Sequence, residues 1–178
     1  MPQNDLDEIK EQAAKLLNQV PQKEPLGTKL FNAVARHTVG IAFEAVLLRR
    51  KGEDIEVFLT LRENIEAYGG LWHCPGSFFR ALETEKDVLK RLSQKEYGAK
   101  ITSCFFCQDS FEPEERGGIC LDRIYLITLK DEPNPINKGM WFNVDRLPRN
   151  IVNGHRDKII PIAVKYFLKR MKNATKLS

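Results

Sequence analysis

The sequence predicts an α/β fold, a mixed β-sheet covered by helices with a helical extension at its N-terminus. Three observations predict it. Apolar residues recur at helical spacing over residues 5–18, 84–97 and 156–172. Between these lie runs dense in β-branched and apolar residues, Val39–Arg49, Ile55–Leu61, Thr102–Gln108 and Ile119–Lys130. The length of 178 residues, 42% hydrophobic and 29% charged, suits one domain with an appendage.

The elements follow in order. Leu6, Ile9, Ala13, Leu16 and Leu17 share one face of the first helix, with Asn4 as its expected cap. Pro21 and Pro25 break the chain, and Thr28 is the expected cap of a short second helix running to His37. Residues 1–36 are read as an extension that packs on the body or on a partner, and residues 37–178 as the main domain. Arg50-Lys-Gly-Glu-Asp links the first two strands as a hairpin. A Gly/Pro-rich stretch, Tyr68 to Ser77, leads to a helix from Thr84 to Tyr97. Thr84 and Asp87 have capping-box spacing, and Gly98 suits the C′ position. Asp109 to Gly118 reads as an acidic loop, Gly139–Val144 as a short strand, and Arg156 onward as the last helix.

The net charge is +4, but six basic side chains and no acid fall within residues 158–178. All 24 acids therefore face 22 basic groups in the rest of the chain, which is close to neutral. That distribution argues against a nucleic-acid partner read through a broad basic face. The N-terminus lacks the basic and apolar regions of a secretory signal. The longest apolar run, Ile159–Val164, is far short of the ~20 residues that span a bilayer. No membrane partner and a cytoplasmic location are expected. Cys104 and Cys107 have the spacing of half a zinc site, but on a strand residues i and i+3 face opposite sides. The four cysteines are read as small buried thiols in a reducing compartment.

Chemistry concentrates between Trp72 and Lys100. A tight Gly/Pro loop directly before a helix offers backbone N–H groups to anions. Glu83, Arg91 and Glu96 follow, and a carboxylate in such a pocket can bind Mg²⁺ or act as a base. A phosphate-handling site with a divalent ion is the hypothesis these residues allow.

This stretch resembles a degenerate Nudix box, the signature G-x5-E-x7-R-E-U-x-E-E-x-G-U of MutT-like pyrophosphohydrolases, in which U is apolar. Over Ser77–Ala99, Glu83, Arg91, Glu96 and Gly98 match at the required spacing and Ala99 loosely. Ser77, Leu92, Ser93 and Lys95 depart from it. Trp72-His-Cys-Pro-Gly resembles the W-x-x-P-G-G entry of the family. Trp141-Phe-Asn-Val-Asp-Arg-Leu-Pro and Gly154-His-Arg resemble its closing segments. The resemblance covers about residues 38–170 and implies a Nudix-like α/β/α sandwich.

In that family the carboxylates of R-E-x-x-E-E hold metal ions that bridge a diphosphate. Here the first two are Leu92 and Lys95, so the resemblance implies at most one Mg²⁺ or Mn²⁺, held by Glu96 and the Gly76 carbonyl, and none if the chain is inactive. Arg91-Leu-Ser-Gln-Lys-Glu-Tyr-Gly is similar to R-L-T-x-A-E-L-G of the GDP-mannose mannosyl hydrolases, and the likeness extends to Arg62 and Glu44. Phe78, however, replaces an arginine of that family, and Asn134–Met140 holds no histidine where that family places its base.

Glu96, Arg91 and Glu83 are therefore the catalytic candidates, with Arg91 and Glu83 expected to pair and brace the loop–helix junction. Arg62, Glu44, Arg80 and Lys95 are the candidates for substrate binding, Lys95 as a fixed charge in place of a metal. Glu112, Glu114 and Glu115 are alternative bases. Leu92 is an added core contact, and His155 a capping or surface histidine. The first functional expectation is a hydrolase of a nucleoside-diphosphate-linked small molecule, such as a nucleotide sugar. Its alternative is an inactive module that binds a nucleotide or a protein. Homodimerisation through the Leu6/Ile9/Ala13/Leu16/Leu17 stripe is a third.

Overall fold

The computed structural model describes residues 3–22, 24–63, 68–113 and 118–175. Helices α1 (Gln3–Leu17) and α2 (Gly27–Ala35) precede a long strand β1 (Val39–Lys51) and its hairpin partner β2 (Asp54–Leu61). Short strands β3 (Trp72–His73) and β4 (Gly76–Phe78) lead into α3 (Glu85–Leu92), which continues as a π-helical turn over Ser93–Tyr97. Then come β5 (Ile101–Pro113), β6 (Ile119–Leu129), β7 (Gly139–Asn143), a second π turn (His155–Ile159) and α4 (Ile160–Thr175).

The sheet order is β3-β2-β1-β6-β5, with β4 on β1 and β7 on β2. β1 and β6 run parallel and the other pairs antiparallel. β1 is central and is buried continuously from Ala42 to Leu48, as expected of a strand covered on both faces. Val46, Leu48, Val57 and Leu59 point to one side and meet Ile159, Ile160 and Ala163 of the last helix. Phe43, Ala45, Leu47 and Phe58 point to the other and meet Val88, Leu92 and Tyr97. Alternation along one strand thus builds both halves of an α/β/α sandwich.

Four local expectations change. α2 begins at Gly27 and no side chain caps it, so Thr28 lies inside its first turn. α1 begins at Gln3, which puts Asn4 inside that helix. Asp109–Pro113 is not loop but the end of β5, paired with Ile119–Arg123. The helix expected from Thr84 to Tyr97 is α-helical only to Leu92. Cys104 is exposed and Cys107 buried, so the two thiols do diverge. Partial burial raises both to about 11, which leaves them protonated and unreactive near neutral pH.

Candidate functional site

The site is built on the junction between β4 and α3. Thr84 and Asp87 form a full capping box, in which the Thr84 N–H donates to Asp87 Oδ2 (2.9 Å) and the Asp87 N–H to Thr84 Oγ1 (3.4 Å). Glu83, just before it, takes two hydrogen bonds from Arg91, Nε to Oε1 at 3.0 Å and Nη2 to Oε2 at 2.7 Å. The Arg80 N–H adds a third at 2.9 Å. Burial alone would raise the Glu83 carboxyl, but these donors outweigh it and hold the group below its usual range. Arg91 also donates to Ser77 Oγ and to the Phe78 carbonyl (3.1 Å). Glu83 and Arg91 therefore clamp β4 to the start of α3. Their guanidinium and carboxylate are spent on each other and on the loop, so they act as positioning residues.

The next turn holds the positions at which the resemblance places carboxylates, and it is not α-helical. Leu92 and Tyr97 are both fully buried. On an α-helix, residues five apart lie roughly 140° from each other. A π turn bonds i to i+5 and stacks such residues on one face. The π turn from Ser93 to Tyr97 thus lets both side chains enter the same core cluster. There the Tyr97 hydroxyl donates to the Ala45 carbonyl at 2.5 Å. Gly98 ends the turn with a left-handed φ of 58°. Lys95 is exposed and does not line the cavity described next, whereas Glu96 does.

That cavity encloses about 990 Å³. Glu44, Arg62, Arg80 and Gly76 line it together with Glu96 and Arg91. Five of the seven site candidates among side chains thus share one wall system, and Glu83 and Lys95 stand outside. Glu44 is buried, opposite Gly76 across the β1–β4 pair. A Cβ at Gly76 would sit 2.5 Å from Glu44 Oε2, so only glycine leaves room for this carboxylate. Arg62 lies over the Tyr68 ring, 5.7 Å from its centroid. Glu112 also lines the cavity but is ion-paired with Lys158 at 2.7 Å. Glu114 and Glu115 lie outside the described residues.

His155 is not a surface or capping residue. Trp72 exchanges backbone hydrogen bonds with Asn150 and Val152 (2.8 and 3.0 Å), which draws the start of the last helix onto the loop. His155 is thereby buried against the cavity, and its Nδ1 accepts the Cys74 N–H at 3.1 Å. This fixes the proton on Nε2. Burial, aided by the Arg62 charge, lowers its pKa to about 3. The 4.0 Å approach of Glu44 to Nδ1 is therefore not an ion pair, because the ring is neutral. His73, also buried and lining the cavity, bonds Thr60 through Nε2 (3.1 Å) and is likewise held neutral by burial and by Arg62. Sequence reasoning passed over His73, Asp122 and Phe31 as cavity residues. For Asp122, a carboxylate inside the apolar run Ile119–Leu129 was the available signal.

The divalent ions implied by the resemblance need several carboxylates on one side of the helix. Leu92 is in the core, Lys95 faces solvent, and Glu96 is the box carboxylate that reaches the cavity. Among the described residues, no group of three or more His, Cys, Asp or Glu side chains is arranged to hold a metal ion. The residues present do not fit a multi-ion cluster.

No family model matches the sequence, and no curated protein matches it. Its architecture does have solved counterparts. The chain is similar to a MutT Nudix hydrolase from Burkholderia pseudomallei, at TM-score 0.57 and 20% identity over 67% of this chain and 94% of that one. It is similar to NrtR from Shewanella oneidensis in complex with a 27mer DNA, at TM-score 0.58 and 18% identity over 73% of this chain and 63% of that one. The Nudix domain of the same NrtR, crystallised with ADP ribose, gives TM-score 0.55 and 18% identity over 86% and 97%. Likeness at this identity speaks to architecture alone, and it agrees with the α/β/α sandwich above: the chain has the Nudix fold.

Proposed function

We propose that the cavity binds a nucleoside-diphosphate-linked small molecule, a nucleotide sugar or similar, without a metal cluster. The chain would then be a Nudix-fold binding module. The observation that carries this proposal is the fate of the π turn, with Leu92 buried in the core and Lys95 turned to solvent beside an intact cavity. Arg62 and Arg80 would meet the diphosphate, and the neutral His155 would offer its Nε2–H to an acceptor. The Nudix domain of NrtR solved with ADP ribose supports a ligand of this class. Calorimetric titration of ADP-ribose, ADP, GDP, UDP and GDP-mannose in EDTA tests it. Binding weakened at least tenfold by Arg62→Gln is the expected result, and no binding by any of them would reject it.

A second reading, hydrolysis with one Mg²⁺ or Mn²⁺, is favoured by the exposure of Glu96 and Gly76 to the same cavity. Turnover abolished by Glu96→Gln would support it. Residues 1–36 are kept as an extension to a domain over 37–178. The partly exposed Leu6, Ile9, Leu16 and Leu17 of α1, which has no buried residue, support pairing of two chains. Removal of residues 1–26 would then lower the sedimentation coefficient to that of a smaller species. Four free cysteines fit a cytoplasmic setting. No helix among the described residues is long and apolar enough to cross a membrane.

A further inference from the structure

We propose that Phe31 of the N-terminal extension and Phe78 of β4 form a nucleobase-stacking subsite at the far end of the cavity from Glu44. This rests on the nucleotide reading above and adds where the base sits and which part of the chain holds it.

Sheet geometry separates the two ends. Gly40, Ala42 and Glu44 alternate along β1 and so share one face. Antiparallel pairing sets Gly76 opposite Glu44 and Phe78 opposite Ala42. The end at Glu44 and Gly76 is polar. The end at Gly40 and Ala42 is stripped of side-chain bulk, and Phe78 fills it. A Cβ at Gly40 would lie 2.6 Å from Phe78 Cε1, so glycine at this position lets the ring settle on the β1 backbone. Four residues of strand separate Glu44 from Gly40, about 13 Å. That is the scale of a nucleoside diphosphate laid out along the floor, its phosphates toward Arg62 and its base toward Phe78.

The second ring comes from outside the sheet. Phe31 on α2 meets Phe78 with ring centroids 5.1 Å apart and planes tilted by 59°. Two rings at this tilt form an aromatic corner, in which one offers a face and the other closes the side. Both are only half-buried and both line the cavity. The position of Phe31 is secured by the chain after α2, where Thr38 Oγ1 donates to the Val34 carbonyl at 3.1 Å. A corner of this kind suits a planar heterocycle, because every nucleobase has a π face that stacks on an aromatic ring. An aliphatic ligand would find charged groups along the rest of the cavity.

The test uses the full chain and whichever of ADP, GDP, UDP, ADP-ribose and GDP-mannose binds most tightly by calorimetry in EDTA. Phe31→Ala and Phe78→Ala are each expected to weaken it at least tenfold. Phe78→Ala also empties the space over Gly40 and lowers the thermal midpoint, so binding is compared at a temperature where every variant is folded. Phe31→Leu keeps an apolar contact with Phe78 but no ring, and is expected to fall with Phe31→Ala. Phe31→Tyr keeps the ring and is expected to stay within threefold of the parent. The absorbance change of the bound base should vanish in Phe31→Leu. Nucleotide bound equally well by Phe31→Leu and by the parent overturns the subsite while leaving the nucleotide reading intact. Loss in Phe78→Ala alone overturns the role of the extension. No binding of any of the five by the parent overturns the nucleotide reading and the subsite with it.

Discussion

The two halves of the loop–helix element, Ser77–Arg91 and Leu92–Tyr97, are built in different ways. In the first, Glu83 and Arg91 keep their spacing and form a clamp whose two ionic partners are both about 15% exposed, 14% for Arg91 and 16% for Glu83. In the second, Leu92 and Tyr97 are core, the backbone forms a π turn, and Glu96 faces the cavity. The contrast teaches that the clamp holding the loop and the helix turn beside the cavity rest on different residues, so either can be changed without the other.

Four perturbations would break or sharpen that contrast. The largest effect is expected from Leu92→Glu. On the pattern of the family it restores a carboxylate, but here it buries an unpaired charge beside Val88 and Tyr97, at a cost of about 3–5 kcal/mol. Urea denaturation measures it, and a stable Leu92→Glu chain that gains Mn²⁺ affinity would contradict the burial. Arg91→Ala comes next. Stranding the Glu83 carboxylate and freeing Ser77 and Phe78 should cost about 2–3 kcal/mol by the same measurement.

The third is acid sensitivity. His155 titrates near 3 in the folded chain, whereas an unfolded histidine titrates near ~6.5. Between these values the unfolded chain holds a proton that the folded one does not. Stability is therefore undiminished above about pH 6.5 and falls as pH drops toward 3, by about 2 kcal/mol at pH 5. His155→Gln retains an acceptor for the Cys74 N–H and should remove this share of the slope in urea titrations at pH 5 and 7, leaving the part due to His73, which is also buried and neutral. The smallest effect is expected from Lys95→Gln, within about 0.5 kcal/mol in stability and without change in nucleotide affinity, because the side chain faces solvent. A large affinity loss would bring Lys95 back into the site.

Much of the fold was legible in the sequence because periodicity carries it. Val39–Arg49 and Ile119–Lys130 read as strands from their β-branched density, and the Thr84–Asp87 spacing gave the cap that forms. The π turn was not legible, because no local residue preference specifies it. It follows from the demand of Leu92 and Tyr97 for the same core cluster, which only tertiary packing decides. Asp109–Pro113 reads as acidic loop because its charges hide a strand whose partner, Ile119–Arg123, lies beyond residues 114–118 of the chain. Of the site, Glu83 with Arg91 was readable as a clamp. His155 was not, because its burial depends on the long-range pairing of Trp72 with residues 150–152.

The separation of cavity from metal chemistry is tested most directly by calorimetric titration of a nucleoside-diphosphate ligand such as ADP-ribose in Mn²⁺ and again in EDTA, with Glu96→Gln alongside. Equal affinity in both buffers, unchanged by Glu96→Gln, is the expected result. Affinity that appears only with Mn²⁺ and disappears in Glu96→Gln would contradict it.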